Sequence, residues 1–259
     1  MKVALSTLTF TNEEIEWLME QIGSEEPTIR DNLVFTLLGR GLSEGALTQE
    51  QFAYVSTQSM AKDLIRYRLD TKLPATLTRS FTALLNGFIV QVDGSEQSPY
   101  HHLLMPEVRD YFWLSASQYL YQETDRTGYS PQYGWVHAFA HAGDYLSKVV
   151  GHDLFNQSFM PDVLDSLTFV ITSSRQPFTD GKGRRLAQAL VTGLIQEKLT
   201  QEQLAQWIQS HYFALEELSD FYQLALFEDM LAYVYFHTLD TLVLTDDLQT
   251  ALLGYLKKY

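Results

Sequence analysis

Apolar side chains recur every three or four residues along almost the whole chain. This spacing places them on one face of an α-helix, and it constrains the fold more than any other feature. Runs that alternate in the manner of a strand are few, and the clearest, 88–92, continues a helical pattern. The chain is therefore predicted to be all-α. The predicted helices cover residues 11–22, 28–43, 48–69, 75–92, 106–123, 132–150, 160–173, 182–197, 200–211, 214–240 and 245–257.

Several of these helices carry start signals. Thr48 with Gln51, and Thr200 with Gln203, have the spacing of a capping box, in which two side chains satisfy free amide groups of the first turn. Pro106 suits the first turn of its helix, where the amide hydrogen that proline lacks is not needed. These signals support the helical prediction independently of the apolar spacing.

One part of the sequence is repeated. Residues 41–53 begin with Gly-Leu and continue to Leu-Thr-Gln-Glu-Gln, and residues 193–205 have the same letters at the same spacing. The repeat is explained either by a common way of starting a helix or by a repeated helix–turn–helix unit. Many short helices joined by short turns favour the second explanation. The sequence thus predicts a single curved domain over residues 1–259, an α-solenoid of paired antiparallel helices resembling HEAT or armadillo arrays.

The composition excludes several classes of function. Of 259 residues, 46% are hydrophobic, which is enough for one substantial core. Acidic residues number 32 against 18 basic ones, so nucleic acid and anionic membrane surfaces are not expected as partners. The absence of cysteine excludes disulfides, cysteine-ligated zinc, iron–sulfur clusters and a thiol nucleophile.

The N-terminal segment, 1–17, has one lysine and a short apolar run but no small-residue cleavage site. It is therefore not predicted to be a signal peptide. No apolar run reaches the ~20 residues that a transmembrane helix needs. The expected location is the cytoplasm.

The densest concentration of reactive side chains lies between Gly134 and Asp144. His137, His141 and Asp144 occupy positions i, i+4 and i+7 there, which on a helix fall within an arc of about 60°. Two imidazoles and a carboxylate on one helix face could hold a metal ion, a proton or a polar ligand.

A plainer explanation is that these histidines simply face water. Small residues beside the histidines, Ala138 and Ala140, and the aromatic Gly/Pro turn before them favour a groove over open solvent. The opposite side of the same helix is apolar, and Trp135 is expected to be buried with it. That apolar stripe consists of Trp135, Phe139, Ala142, Leu146 and Val149.

A divalent metal is one occupant that this stripe could take. The histidine spacing matches the H-E-x-x-H helix of metalloproteases, but Ala138 stands where that pattern has its glutamate. Zinc would take His137, His141 and Asp144, although an i+7 ligand lies about 10 Å along the axis from the first. Without a metal, Asp144 would orient a ring nitrogen of His141 by a hydrogen bond.

Other candidate sites are weaker. Residues 41–45 match G-x-S-x-G, but the preceding segment is helical, whereas a nucleophile elbow follows a strand. Residues 181–185 are basic and glycine-rich without the spacing of a phosphate loop, so an exposed basic turn is expected. His101 and His102 lie in a polar loop, from which they could reach another site, although loop histidines are usually solvated.

The motif around Trp135 resembles an uncharacterised bacterial family of unknown function, whose members carry a D-x-R-G-[FY] turn followed by GWAHAxAHxxD. The flanking segments Arg30-Asp31, 79–81 and 185–187 resemble its RD, RSF and RLA segments in the same order. The chain departs from the family turn by having Thr127 in place of the arginine. The resemblance implies an all-helical fold and no established activity. The matching residues are Asp125, Gly128, Tyr129, Gly134, Trp135, His137, Ala138, Ala140, His141 and Asp144.

Three functional hypotheses follow. The first is a binding or scaffold protein whose concave groove is centred on the Trp135 motif and takes a peptide, a protein partner or a small polar molecule. The second is a metal-dependent hydrolase that uses the same residues, with Asp125 or Glu123 as the base. The third is that the motif only locks the fold, with Trp135 and Gly134 at the helix start and Asp125 capping the preceding turn. The ligand-binding residues predicted by the first hypothesis are Trp135, His137, His141, Asp144 and Asp125.

Overall fold

The structure, a computed structural model, describes residues 8–257. The expectation that the chain has no signal peptide rests on residues 1–17, of which 1–7 lie outside the described residues. The elements in chain order are α1 (Asn12–Glu20), α2 (Pro27–Ile29), a π-helical stretch (Arg30–Phe35), α3 (Thr36–Ser43), α4 (Gln49–Lys62), a 3₁₀ turn (Leu64–Arg66), α5 (Ala75–Asp93), α6 (Pro106–Gln122), β1 (Tyr129–Ser130), β2 (Gly134–Trp135), α7 (Ala138–Val150), a 3₁₀ turn (Gln157–Phe159), α8 (Met160–Thr172), α9 (Lys182–Ile195), α10 (Gln201–Gln209), α11 (Leu218–Thr238) and α12 (Asp246–Leu256).

The all-α prediction is confirmed, since β1 and β2 are the only strands among residues 8–257. Both predicted capping boxes are present, with Thr48 Oγ1 accepting from the Gln51 amide and Thr200 Oγ1 accepting from the Gln203 amide at 3.1 Å each. Pro106 lies in the first turn of α6. No helix within the described range is long and apolar enough to cross a bilayer. The cytoplasmic location stays a prediction.

One predicted helix begins in the wrong place. Residues 132–137 are not helical, because β1 and β2 pair as a small antiparallel hairpin with Tyr129 opposite Trp135. The turn uses Gly134 at φ +72°, a conformation that favours glycine. His137, at φ +49°, then ends the hairpin and serves as the N-cap of α7. Trp135 therefore leaves the apolar stripe and is 49% exposed, so the expectation that it is buried is wrong.

The helices pack in two rows. In the first row α3 packs on α5, α5 on α7, α7 on α9 and α9 on α11, while in the second α4 packs on α6 and α6 on α8. The α7–α9 crossing is close at Gly143, where a Cβ atom would lie 2.6 Å from the carbonyl oxygen of Arg185. A side chain at this position would force the two helices apart.

Both copies of the repeated sequence form the same local structure. After α3 the Gly41 carbonyl accepts from the Ala46 amide at 2.8 Å, and after α9 the Gly193 carbonyl accepts from the Lys198 amide at 2.8 Å. Each turn leads into a capping box that starts the next helix. The repeat is therefore a helix–turn–helix in both places. In the first copy no strand precedes the G-x-S-x-G residues among the described residues, so they do not form a nucleophile elbow.

Helices α5 and α7 form the centre of the molecule and are almost wholly buried. On α7 the only positions that are not buried are Asp144 and Lys148, one turn apart. On α5 the non-buried positions are Thr78, Leu84, Phe88 and Gln91, of which the last three repeat at helical spacing. The two helices thus share one narrow open stripe, and it contains part of the predicted polar face of α7.

Candidate functional site

A buried arginine holds the hairpin that precedes α7. Arg30 is fully buried and donates through Nη2 to the carbonyls of Tyr133, at 2.6 Å, and Trp135, at 3.3 Å. Its guanidinium lies over the ring of Phe81, 4.7 Å from the centroid, and also donates to the Ser24 carbonyl. Arg30 thus fixes the backbone carbonyls of the hairpin, and the Trp135 side chain extends from a fixed backbone position. The sequence indicated Arg30 only through the family resemblance.

The hairpin and the start of α7 bring four aromatic rings together. Trp135 stacks on His137 with ring centroids 4.5 Å apart and planes 9° from parallel. Tyr129 lies edge-on to Trp135 at 5.1 Å, and the His137 and His141 rings are 5.8 Å apart. The Trp135 and Tyr129 side chains are about half exposed, at 49% and 55%. A ligand with a flat or apolar group would find a stacking surface here.

His141 is held in one tautomer. Its Nδ1 lies 2.7 Å from Ser80 Oγ, and the Ser80 hydroxyl donates to the Val136 carbonyl. A carbonyl cannot donate, so the single Ser80 hydrogen points to Val136 and His141 Nδ1 must carry the hydrogen of the second bond. The His141 Nε2 atom is then a bare acceptor, with no hydrogen-bond partner among the described residues. Ser80, not Asp144, orients this ring.

Burial keeps His141 neutral. The side chain is 8% exposed. Burial lowers the pKa of His141 to about 3, with neighbouring His137 and Arg185 adding to the effect. The pKa of His137 is also lowered, mainly by burial and then by the charge of Lys182. Near neutral pH the two rings therefore offer acceptors without positive charge.

Asp144 is paired with a neighbouring helix. Both carboxylate oxygens accept from Arg185 of α9, with Arg185 Nε lying 2.5 Å from Oδ1 and Nη2 bonding Oδ2. Burial raises the pKa of Asp144, and the Arg185 hydrogen bonds and charge oppose that rise. The Arg185 side chain remains 49% exposed. This bidentate pair leaves the guanidinium edge at the surface, next to the histidines.

The three metal ligands predicted from helical spacing are not brought to one point. Among the described residues the side chains of His137, His141 and Asp144 do not form a group whose ligand atoms all lie within 4.8 Å of one another. Asp144 is directed to Arg185, and His141 Nδ1 is directed to Ser80. A divalent metal at this helix, and the hydrolase that would use it, stay predictions without geometric support.

Asp125 has a structural role. It is buried and accepts from Thr76 Oγ1 at 2.6 Å and from the Thr127 amide and hydroxyl at 3.0 and 2.7 Å. Burial alone would raise the pKa of Asp125, but these hydrogen bonds outweigh it and the pKa is lowered. Both oxygens are used to cap the turn before β1, which is the role given to Asp125 by the third hypothesis. Asp125 is therefore not placed as a ligand residue.

A second buried arginine locks the same turn. Arg79 and Glu123 are both buried and form two hydrogen bonds, Nε to Oε2 at 2.7 Å and Nη2 to Oε1 at 3.0 Å. Glu123 Oε1 also accepts from the Asp125 amide at 2.7 Å. Glu123 is thus occupied by structure and not free to act as a base. The three residues 79–81 each support the site, since Arg79 fixes the turn, Ser80 orients His141 and Phe81 lies beneath Arg30.

The basic segment at the start of α9 differs from expectation. Lys182 is 2% exposed, and its Nζ donates to the Arg126 carbonyl at 3.0 Å and approaches Asp180 Oδ2 at 3.4 Å. The prediction of an exposed basic turn is wrong for this residue, because a lysine stem can be buried while its amine reaches a carbonyl. Arg184 and Arg185 are exposed, as expected.

The open stripe of the central helices forms a groove. Two hollows of 340 and 460 Å³ lie along α5, α7 and α9, and they adjoin because both are lined by Gln91 and Lys148. We refer to them together as the central groove. Asp144 and Arg185 lie at one end of it, and His152 lies at the other. Its polar side chains include Gln91, Asp144, Lys148, Arg185, Gln188 and Gln196.

Fold and site together define an all-helical protein with an aromatic cluster before α7 and a central groove lined at one end by Asp144 and Arg185. A model of the family described as "Protein of unknown function (DUF2785)" matches residues 67–230, more than half of the chain. The chain belongs to this family. The match includes the hairpin, α7 and the buried Arg79–Glu123 pair. No curated protein and no solved structure matches the chain.

Proposed function

We propose that the chain is a binding protein whose ligand is an extended peptide lying in the central groove. The observation that carries this proposal is the burial of α5 and α7. Both helices are covered on nearly every side, yet one stripe of each stays open, and the two stripes meet in the same groove. A purely structural helix pair at the centre of a domain has no need of such an opening.

The chemistry of the groove suits a peptide backbone. An extended peptide presents amide hydrogens and carbonyls that need partners, and glutamine side chains such as Gln91, Gln188 and Gln196 supply both donors and acceptors. From Arg185 to Gln196 the α9 side extends for about 16 Å, which matches about five residues of extended peptide. The apolar wall, made by Phe35, Leu84 and Phe88, would take a hydrophobic side chain.

The rings of Tyr129, Trp135, His137 and His141 would form the far end of this site. Asp144 and Arg185 line the groove, and His141 lies one turn before Asp144 on the same helix. Beyond them the exposed Trp135 ring, stacked on His137, would contact a side chain of the ligand. The bare Nε2 atom of His141 would accept a hydrogen bond there. These roles retain four of the five predicted ligand residues and exclude Asp125.

The packing rows support a finer statement of the fold. Along the chain, α3, α5 and α7 of the first row alternate with α4, α6 and α8 of the second, and α5 packs on α6. This is the pattern of a HEAT-like array, in which one row lines the concave surface. In this proposal the central groove is that concave surface, and α5, α7 and α9 form its floor.

Selection from a phage-displayed library of random linear peptides tests the proposal. Synthetic copies of the enriched peptides are then titrated with the protein by fluorescence anisotropy. The double variant Lys148→Ala with Gln188→Ala should weaken binding about tenfold or more, a loss of about 1.4 kcal/mol. The control is Arg184→Ala, which removes an exposed arginine from the same helix outside the groove. Arg184 pairs with Asp229 at 3.2 Å.

The control should bind like the wild type, and thermal unfolding should show that both variants remain folded. If no sequence is enriched, the peptide proposal is abandoned. The same conclusion follows if the enriched peptides bind the double variant as tightly as they bind the wild type.

A further inference from the structure

A second group of histidines lies at the other end of the molecule. His101 and His102, in the loop between α5 and α6, meet Asp153, which follows α7. His101 Nε2 is 3.1 Å and His102 Nε2 is 2.7 Å from the same atom, Asp153 Oδ2. We refer to these three residues as the loop cluster. The ligand atoms of all three lie within 4.8 Å of one another.

We propose that the loop cluster binds a zinc ion. Ligand atoms about 2.1 Å from a tetrahedral ion lie about 3.4 Å from one another, so a small outward movement of the two rings would admit the metal. Two imidazole nitrogens and one carboxylate oxygen are a common zinc ligand set. Magnesium and calcium prefer oxygen ligands alone and do not fit this one.

The backbone around the loop cluster is held by hydrogen bonds to neighbouring segments. His102 adopts φ +57°, and its amide donates to the Asp93 carbonyl at 2.9 Å. The backbone at Asp153 is held by Lys198, whose Nζ donates to the Asp153 carbonyl at 3.1 Å. The second oxygen, Asp153 Oδ1, accepts from the Leu154 amide at 2.9 Å. Such supports hold ligands in position before the metal arrives.

A buried polar core lies directly beneath the loop cluster. His152 is 1% exposed, and its Nε2 lies 2.9 Å from Asp93 Oδ2. The Asp93 carboxylate also accepts from Arg109 Nε at 2.9 Å and from the Leu104 amide at 2.8 Å. The loop cluster thus rests on a rigid base that joins the ends of α5 and α7 to the start of α6.

The exposure of the loop cluster indicates the kind of site. The side chains of His101, His102 and Asp153 are 29%, 38% and 36% exposed. Three protein ligands at the surface leave a fourth position for water or an incoming group, as in an open zinc site. The acidic excess of the chain, 32 acidic residues against 18 basic ones, also favours accumulation of cations.

Isothermal titration of tag-free, chelator-treated protein with zinc chloride tests this proposal. We expect one zinc ion per chain. The double variant His101→Gln with His102→Gln and the single variant Asp153→Asn should each weaken binding about tenfold or more. Because all three side chains are partly exposed, the variants should keep the wild-type melting curve when metal is absent. Cobalt(II) should give the visible absorption of a tetrahedral ion in the wild type and lose it in the double variant.

The control is His137→Gln, which removes one ligand of the set predicted on α7 and should leave zinc binding unchanged. Loss of zinc in this control, with retention in the double variant, would assign the metal to α7 and overturn the proposal. Absence of stoichiometric zinc in the wild type would overturn it as well, leaving the loop cluster as hydrogen bonds alone. Titration with magnesium chloride should give no binding at this site.

Discussion

The two histidine groups of the molecule are held in opposite ways. At the start of α7, His141 is 8% exposed and is tied through Nδ1 to Ser80. In the loop cluster, His101 and His102 are partly exposed, and their Nε2 atoms converge on one oxygen of Asp153. The first arrangement holds a neutral, buried imidazole whose Nε2 atom is an acceptor. The second gathers three ligand atoms at the surface.

The difference shows that helical spacing alone does not make a site. His137, His141 and Asp144 are aligned along α7, but Ser80 and Arg185 from neighbouring helices take up His141 and Asp144. In the loop cluster, His101 and His102 are neighbours in one loop, and Asp153 reaches them from another loop about fifty residues later, where no competing partner among the described residues takes up its Oδ2 atom. Tertiary contacts decide which aligned side chains remain available for chemistry.

The largest effect is expected beneath the loop cluster. Asp93 is fully buried and accepts from Arg109, His152 and the Leu104 amide. Asp93→Asn removes the charge and leaves the Arg109 cation without its partner, so the free energy of unfolding should fall by about 3–5 kcal/mol. Chemical denaturation measures the loss.

The matched control for this prediction is Asp153→Asn, one layer further out. It breaks exposed contacts to His101 and His102, and its cost should be about 0–1 kcal/mol in the absence of metal. Similar losses in the two variants would contradict the distinction between a buried base and a surface cluster.

The sequence predicted the helices well because their signals are local. The capping boxes at Thr48 and Thr200 and the apolar spacing lie within the segments that they describe. The hairpin before α7 was missed because it depends on Arg30, which is distant in sequence. The same reason explains why Trp135 was expected to be buried.

The candidate site was predicted in part. The motif marked Trp135, His137 and His141, and the structure groups their rings. The sequence could not show that Arg185 pairs with Asp144, because that contact depends on the α7–α9 crossing. Nor could it join His101 to Asp153, since the two lie in different loops. Local sequence patterns indicate which side chains can do chemistry, whereas tertiary packing decides which residues they contact.

A smaller effect is expected from pH, and it concerns His141 at the start of α7. The pKa of His141 is about 3 in the folded protein, whereas a histidine in the unfolded chain has a pKa of about 6.5. Between these values the unfolded chain binds the extra proton, so stability is full above about pH 6.5 and is lost as the pH falls. At pH 5 the loss from His141 should be about 2 kcal/mol.

The measurement is the free energy of unfolding at pH 7 and pH 5 for the wild type and for His141→Asn. The asparagine amide keeps a donor toward Ser80 but does not titrate. Its stability should therefore fall by about 2 kcal/mol less than that of the wild type over this interval. Equal falls in the two proteins would show that His141 is not held neutral.

The smallest effect is expected at Trp135, which after Tyr129 is the most exposed of the four rings around the start of α7. Trp135 is 49% exposed and stacks on His137, so Trp135→Ala should cost only about 0.5 kcal/mol of unfolding free energy. Phe139, a turn later, is 1% exposed, and Phe139→Ala should cost about 3–5 kcal/mol through the cavity that it leaves. Chemical denaturation of the two variants measures the contrast. A loss at Trp135 close to that at Phe139 would make the indole a core residue, and the stacking surface proposed for the ligand would disappear with it. A small loss keeps the indole free, since a side chain that contributes little to folding can turn toward a ligand at little cost to stability.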